Sequence, residues 1–252
     1  MNHRPIPIAD DPWHTLRRST QARIGLQRSG SAVSTREVLE FQSAHAAARD
    51  AVHTPMAVVS LVEGLTGLGL GAPTLVASRA STRAEYLRRP DLGREPDDLS
   101  ALGHSGADVG IVIADGLSAT AVDAHAVDLV RALVDALAPT FSVAPPVVAT
   151  NARVALGDHI GDALGVETMV VIIGERPGLS VADSLGIYLT YRPRPGRRDS
   201  ERNCISNIHP PDGLGYADAA RIVAGLSAGA RALGASGVAL KDTSAPTLQL
   251  AD

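Results

Sequence analysis

Residues 108–118 read DVGIVIADGLS, and this stretch decides the fold class. Its first part, DVGIVIA, is a short apolar run rich in Val and Ile, which is typical of a strand buried on both faces of a parallel sheet. The run ends in Asp115-Gly-Leu-Ser118, and the residues that follow, ATAVDAHAVDLVRALVDAL, repeat their apolar positions at helical intervals. The stretch therefore predicts a strand, a tight loop and a helix, which together begin a βαβ unit.

The same alternation continues towards the C-terminus. Further strands are predicted at APPVVATNA (144–152), TMVVII (168–173) and LGIYLTY (185–191), and helices at 153–164 and 215–235. Strands that alternate with helices form βαβ units, and an eight-fold barrel would need more strands than these. We therefore expect an α/β fold: a Rossmann-like, mainly parallel sheet with helices on both faces, preceded by a helical N-terminal region.

The N-terminal region shows two helix starts. Asp11 and Pro12 match an N-cap followed by proline at the first helical position. Ser34 and Glu37 match the capping box S-x-x-E, before the helical pattern VLEFQSAHAAARDAVH (38–53). This second helix carries a polar stripe that we interpret as facing a partner or a ligand: Gln42, His45 and Arg49.

A loop separates this region from the βαβ pattern. The segment RRPDLGREPDDLSALGHSG (88–106) is rich in Pro, Gly and charged residues, and residues 60–107 show no clear periodicity. We therefore divide the chain into a helical N-terminal region, residues 1–105, and a Rossmann-like domain, residues 106–252.

Composition excludes several classes of protein. The 252 residues suit one large domain or two small ones, with 45% hydrophobic but only 3% aromatic residues. A net charge of −4 without a basic tract gives no reason to expect nucleic-acid binding, and a single cysteine excludes an internal disulfide or a Cys-rich zinc site. No apolar run is long enough for a secretory signal or a membrane span, so we expect a soluble intracellular protein with no membrane partner.

Loops at the carboxyl ends of the strands are where such a sheet binds ligands. Three qualify: ADGLS (114–118), GERPG (174–178) and the segment leading to NCISN (203–207), which contains the only cysteine. Each also has a structural explanation: Asp115 and Ser118 suit the cap of the next helix, Pro and Gly enforce the turn in GERPG, and the cysteine suits an inert core residue.

The sequence patterns of well-known enzyme sites are absent. The chain has no GxGxxG after a strand, no Walker A motif, and no GxSxG, HExxH or CxxC. Cys204, with His209 close in sequence, leaves a cysteine nucleophile open. The residues alone predict an α/β domain with a ligand-binding edge and without a complete catalytic set.

Long blocks of the chain, in a consistent order, carry a resemblance to one family. They are ARIGLQRSG (22–30), STREVLEFQSAHAAARDAV (34–52), RRPDLGR (88–94), DVGIVIADGLSATAVDAHA (108–126), RVALGDHIGDALG (153–165), VVIIGERPGLSVADSLGIYLTYRPRPGR (170–197), ERNCISNIHPPDGLGY (201–216) and SGVALKD (236–242). On these blocks the chain resembles the small subunit of ethanolamine ammonia-lyase, an enzyme that depends on adenosylcobalamin.

The resemblance implies a helical N-terminal part that docks on a large barrel subunit, and a Rossmann-like domain, with cobalamin between the subunits. Onto the matching motifs RVALGD, GERPG and NCISN it places three cofactor contacts, Val154, Glu175 and Cys204. The family converts ethanolamine to acetaldehyde and ammonia, and the substrate is bound mainly by the large subunit. The resemblance therefore assigns this chain no catalytic residue and no metal ligand. It implies a location in the cytoplasm, with a bacterial microcompartment as the alternative.

Two other functions stay open on the residues alone. One is a stand-alone Rossmann-like hydrolase or transferase that uses Cys204 or Asp115. The other is a non-catalytic assembly subunit that docks its partner through the basic N-terminal helices. A lyase subunit gives a complex that binds adenosylcobalamin, whereas the hydrolase acts alone and the assembly subunit leaves the complex without cobalamin.

Overall fold

In the computed structural model, which describes residues 13–26 and 28–244, the apolar run is strand β4 at the centre of a sheet. All six residues of Val109–Ala114 are buried. Val109, Ile111 and Ile113 pack in one core cluster and Val112 and Ala114 in another, because successive side chains of a strand point to opposite faces. The sheet therefore has an apolar core on each side.

The other elements follow in chain order. The helices are α1 (Trp13–Arg17), α2 (Thr35–His53), α3 (Val58–Thr66), α4 (Arg83–Arg88), α5 (Ala119–Leu137), α6 (Leu156–Leu164) and α7 (Tyr216–Leu233). The strands besides β4 are β1 (Arg28–Ser29), β2 (Ala32–Val33), β3 (Thr74–Ala77), β5 (Val147–Thr150), β6 (Thr168–Gly174), β7 (Leu185–Tyr191) and β8 (Arg202–Ile208). Two short 3-10 helices lie at Leu92–Arg94 and Asp199–Glu201. None of the helices described is long and apolar enough to cross a membrane.

The sheet corrects one expectation. Its order is β3-β5-β4-β6-β7-β8, with β3, β5, β4 and β6 parallel but β7 antiparallel to both β6 and β8. The α/β class is confirmed, whereas the mainly parallel, Rossmann-like sheet is not, because the sheet is mixed. Residues 175–184 contain no helix, and a parallel neighbour requires a long crossover, so β7 runs back beside β6. Helices α5 and α7 cover one face and α6 the other.

Strand β3 was not predicted, since it lies in the stretch that shows no clear periodicity. Only Val76 of its four residues is buried, so the apolar signal is weak. It pairs with β5 in parallel, so residues N-terminal to 106 contribute a strand to the main sheet. The division of the chain at residue 105 stays a prediction.

The capping box at the start of α2 is present, since the side chain of Ser34 accepts the backbone N–H of Glu37. Of the helix's 19 residues only Ala51 is buried. The predicted cap at Asp11 and Pro12 lies outside the described residues.

Candidate functional site

The carboxyl ends of β4, β5 and β6 form one edge of the sheet, and β7 begins and β8 ends there. Leu185, the first residue of β7, pairs with Gly174 of β6 and with Ile208 of β8. This edge therefore collects the loops after residues 114, 150 and 174, which include two of the three that the sequence indicated. The third expectation was wrong: because β7 is antiparallel to β6, the segment that follows it lies at the opposite edge, and NCISN itself is part of β8.

Two of the three predicted contacts line one cleft at this edge. Val154 and Glu175 border a cavity of about 270 Å³, which we call the edge cleft, together with Gly116, Gly174 and Tyr188 among others. Val154 lies just before α6, is half-buried and packs against the smaller core cluster. The β5–α6 loop thus presents an apolar side chain beside the carboxylate of the β6–β7 loop.

The carboxylate of Glu175 is held by three donors. Its Oε2 accepts the hydroxyl of Ser184 at 2.7 Å and the backbone N–H of Asn207 at 3.2 Å, and its Oε1 accepts the hydroxyl of Ser206. An ionised carboxylate has about four acceptor sites, so about one remains, on Oε1. Glu175 is therefore a positioned acceptor with room for one more donor.

The backbone at Gly186 permits this position. A Cβ at Gly186 would lie 3.0 Å from Oε1 of Glu175 and 3.3 Å from its Cγ, which is tighter than ordinary van der Waals contact. A side chain at this buried position of β7 would therefore require Glu175 to shift by a few tenths of an ångström. The glycine of LGIYLTY is thus part of the site.

Cys204 lies on β8 and pairs in register with Tyr188, which lines the edge cleft. The residue is exposed, but its thiol is partly desolvated, and this desolvation raises the pKa of the thiol. A hydrogen bond with Tyr188 lowers that pKa, whereas the negative charge of Glu175 raises it. A reactive cysteine needs a lowered pKa. His209 gives no activation, since its Nε2 is 2.9 Å from Oδ1 of Asn207. The thiol therefore lacks the lowered pKa of a cysteine nucleophile.

The alkylation of Cys204 should show this directly. Because the thiolate is the species that reacts, we expect the rate with iodoacetamide to rise with pH to a midpoint above that of the same cysteine in the unfolded chain. The measurement is the pseudo-first-order rate from pH 6 to 11, in buffer and in urea. Since the chain has one cysteine, the signal is unambiguous, and a lower midpoint in the folded protein would contradict the assignment.

Asp115 has a structural role. The side chain is buried, and its two oxygens accept backbone N–H groups: Oδ1 that of Ala152 at 2.9 Å and Oδ2 that of Asn151 at 2.8 Å. Oδ2 also lies 3.3 Å from Nη1 of Arg83. Burial raises its pKa, which these hydrogen bonds and the charge of Arg83 oppose. Asp115 thus fixes the loop that carries Val154, whereas Ser118 caps α5, accepting the N–H of Ala121 at 3.3 Å.

Sequence reasoning missed three side chains of this edge. Tyr86 of α4 is fully buried and lies between two guanidinium groups, with Arg83 at 4.9 Å and Arg153 at 4.4 Å from its ring centroid. Tyr188 lines the cleft from β7, and desolvation raises its pKa to about 12. Arg153 is the residue before Val154, and its position in RVALGD is the one signal that pointed to it. No group of three or more His, Cys, Asp or Glu residues suited to a metal ion occurs in the described ranges.

Comparison with known proteins identifies the family. The model of the family ethanolamine ammonia-lyase light chain (EutC) matches residues 10–241. The chain is 61% identical over 244 residues to the ethanolamine ammonia-lyase small subunit of Rhodococcus erythropolis, covering 97% of this chain and 95% of that protein. It is 52% identical over 241 residues to the small subunit of Bradyrhizobium diazoefficiens, covering 93% and 92%. The chain belongs to the ethanolamine ammonia-lyase light chain family.

Proposed function

We propose that this small subunit forms one wall of an adenosylcobalamin site, closed by a large subunit, in which ethanolamine is deaminated to acetaldehyde and ammonia. The observation that carries the proposal is that Val154 and Glu175 line one cleft, with Cys204 paired in register to Tyr188 of the same cleft. These residues lie far apart in sequence, and the sheet edge brings them together.

The residues present fit an edge of the cofactor. A corrin is a flat apolar ring rimmed by amide groups, and Glu175 has an acceptor site left for an amide N–H or a hydroxyl. Val154 and Tyr188 supply apolar surface. The edge cleft of about 270 Å³ is much smaller than the cofactor, so most of the cofactor must be covered by another chain.

This chain has a binding role in the reaction. Adenosylcobalamin, when bound, would supply the radical that removes hydrogen from ethanolamine. Here the Glu175 carboxylate accepts hydrogen bonds, the Asp115 carboxylate is buried and accepts backbone N–H groups, and the raised pKa of Cys204 keeps its thiol protonated. None of the three is arranged to move a proton, so the chain orients the cofactor and excludes water from its own side.

Reconstitution tests the proposal. The subunit, the large subunit and the mixture are each assayed for adenosylcobalamin binding by equilibrium dialysis and for acetaldehyde formation from ethanolamine. We expect adenosylcobalamin binding and acetaldehyde formation only in the mixture. The proposal would be contradicted by a mixture that forms a complex but binds no cobalamin, or by turnover in the small subunit alone.

A Cys204→Ala variant tests whether Cys204 acts as a cofactor contact or as a nucleophile. Because the thiol is exposed and protonated, we expect a loss of cobalamin affinity of at most a few-fold, and turnover at saturating cofactor should stay close to that of the wild type. The measurement is kcat in the reconstituted complex with the cofactor titrated to saturation. Abolished turnover in a complex that still holds cobalamin would instead favour the hydrolase or transferase chemistry.

Helix α2 is the part of the N-terminal region best suited to dock the large subunit. Its apolar side chains Val38 and Phe41 are 40% and 47% exposed, and Phe41 stacks on His45 with ring centroids 6.5 Å apart. His45 belongs to the predicted polar stripe, so apolar and polar groups share this face. Large apolar groups exposed together with polar ones are typical of a protein interface.

A Phe41→Glu variant should therefore weaken the complex by about tenfold or more without unfolding the subunit, because an exposed ring is replaced by a charge that must be desolvated on docking. The readout is the dissociation constant from sedimentation, with circular dichroism as the folding check. Arg36→Ala is the matched control, since Arg36 lies about 140° around the same helix from Phe41 and is solvent-exposed. Equal affinities for both variants would exclude this face.

A further inference from the structure

The edge cleft adjoins a second cavity, and both are lined by arginines that have no acidic partner among residues 13–26 and 28–244. The second cavity, about 230 Å³, shares Arg153, Val154 and Tyr188 with the edge cleft. Arg94 borders the second cavity and Arg176 the edge cleft, while Arg153 borders both. Arg153 is thus the arginine common to the two cavities.

None of these three guanidinium groups has an ion pair within the described part of the chain. Nε of Arg153 is buried without a hydrogen-bond partner, and the group's contact is the ring of Tyr86, 4.4 Å from the centroid. Of the carboxylates that line the cavities, Glu175 accepts three donors, and Asp199 lies 3.5 Å from Nε of Arg202 and pairs with none of the three arginines. The guanidinium of Arg153 therefore has no acceptor among the described residues.

A buried donor without an acceptor costs free energy, so such groups usually have a use. The aromatic face of Tyr86 holds the Arg153 guanidinium in place, and Tyr86 is itself fully buried. A guanidinium fixed in this way is arranged for a planar, two-point contact, and phosphate is the anion whose oxygens match it well.

We infer that Arg153, together with Arg94 of the second cavity and Arg176 of the edge cleft, binds a phosphate anion, which in the assembled enzyme is the phosphodiester of the cofactor's nucleotide tail. This assignment rests on the proposed function. The amides on the corrin rim are neutral, whereas the phosphodiester is the one negatively charged group of the cofactor's periphery. Cavities of about 230 and 270 Å³ accommodate a phosphodiester and its neighbouring sugar, although neither holds a corrin.

The test compares two corrinoids that differ in this group. Adenosylcobalamin has the nucleotide tail and its phosphodiester, and adenosylcobinamide lacks both. Dissociation constants for each are measured by equilibrium dialysis with the reconstituted complex, for the wild type and for Arg153→Gln. We expect Arg153→Gln to lose on the order of 10- to 100-fold in affinity for cobalamin and less than threefold for cobinamide. Arg131→Gln, an exposed arginine on α5, is the control and should change neither.

Two further arms complete the test. Arg176→Gln changes an exposed side chain, so it retains the fold and should show the same selectivity for the tailed corrinoid with a smaller loss. Inorganic phosphate at millimolar concentration should weaken cobalamin binding to the wild type more than to Arg153→Gln, which distinguishes a phosphate site from a contact with the base or sugar.

The outcomes are distinct. Equal losses for both corrinoids, or no loss for cobalamin, would overturn the phosphate assignment while the proposed function stands. A wild-type complex that binds neither corrinoid would overturn both.

Discussion

Replacing Arg202 with methionine should destabilise the fold by about 3–5 kcal/mol. Nη1 of Arg202 lies 2.6 Å from Oδ1 of Asp158 and Nη2 lies 2.7 Å from Oδ2, so the contact is bidentate. The two side chains are only 1% and 2% exposed. Nη1 also donates to Thr190 at 2.9 Å and Nη2 to the carbonyl of Arg197 at 3.0 Å. The variant leaves a buried carboxylate without its cation, and this uncompensated charge is the source of the loss.

Urea unfolding followed by circular dichroism measures the effect. The control is Arg131→Met, whose pair with Asp128 is more than half exposed on both sides and should contribute less than about 1 kcal/mol. The double variant Arg202→Met with Asp158→Leu should recover much of the stability, because both buried charges are then removed. A loss below about 1 kcal/mol for Arg202→Met, or a double variant no more stable than the single one, would contradict the assignment of a buried pair that joins α6 to β8.

Replacing Glu175 with alanine should lower the affinity of the reconstituted complex for adenosylcobalamin on the order of 10- to 100-fold. The variant removes the acceptor site that remains on Oε1. It also releases Ser184, Ser206 and the N–H of Asn207, which the carboxylate now holds in place. Affinity for cobalamin falls because the contact with Oε1 is lost and because the groups that the carboxylate positions are no longer held in place.

Two variants separate these contributions. Ser206→Ala removes one donor and keeps the carboxylate, so we expect a loss of only a few-fold. Glu63→Ala, on the exposed side of α3, is the matched control and should bind cobalamin as the wild type does. Equilibrium dialysis gives the affinity, and size-exclusion chromatography shows that each complex is intact. If Glu175→Ala bound cobalamin as tightly as Glu63→Ala, Glu175 would not be a cofactor contact.

The elements predicted well are those whose signal is local. Strand β4 was evident because its six residues are apolar and enriched in Val and Ile, and the start of α2 because Ser34 and Glu37 stand at the spacing of a capping box. The three candidate contacts came from motif resemblance, and the structure places Val154 and Glu175 at one cleft with Cys204 on the strand beside it.

The elements predicted poorly depend on distant parts of the chain. A buried strand has the same apolar character whether its neighbour is parallel or antiparallel, so the direction of β7 was not visible in its residues. Strand β8 was not predicted at all, because its residues are largely polar and only three of the seven are buried. Strand β3 is short and has one buried residue, and its place in the sheet comes from pairing with β5.

The sequence by itself determined the α/β class, the family and the three residue types of the proposed cofactor wall, because these follow from local periodicity and from motifs. Only the tertiary structure decided which groups are free to bind. Glu175 accepts donors 9 to 32 residues away, Arg202 is paired with Asp158 44 residues away, and Nε of Arg153 has no acceptor within the described ranges. Hydrogen bonding and burial depend on neighbours in space, and the mixed sheet is what made these side chains neighbours.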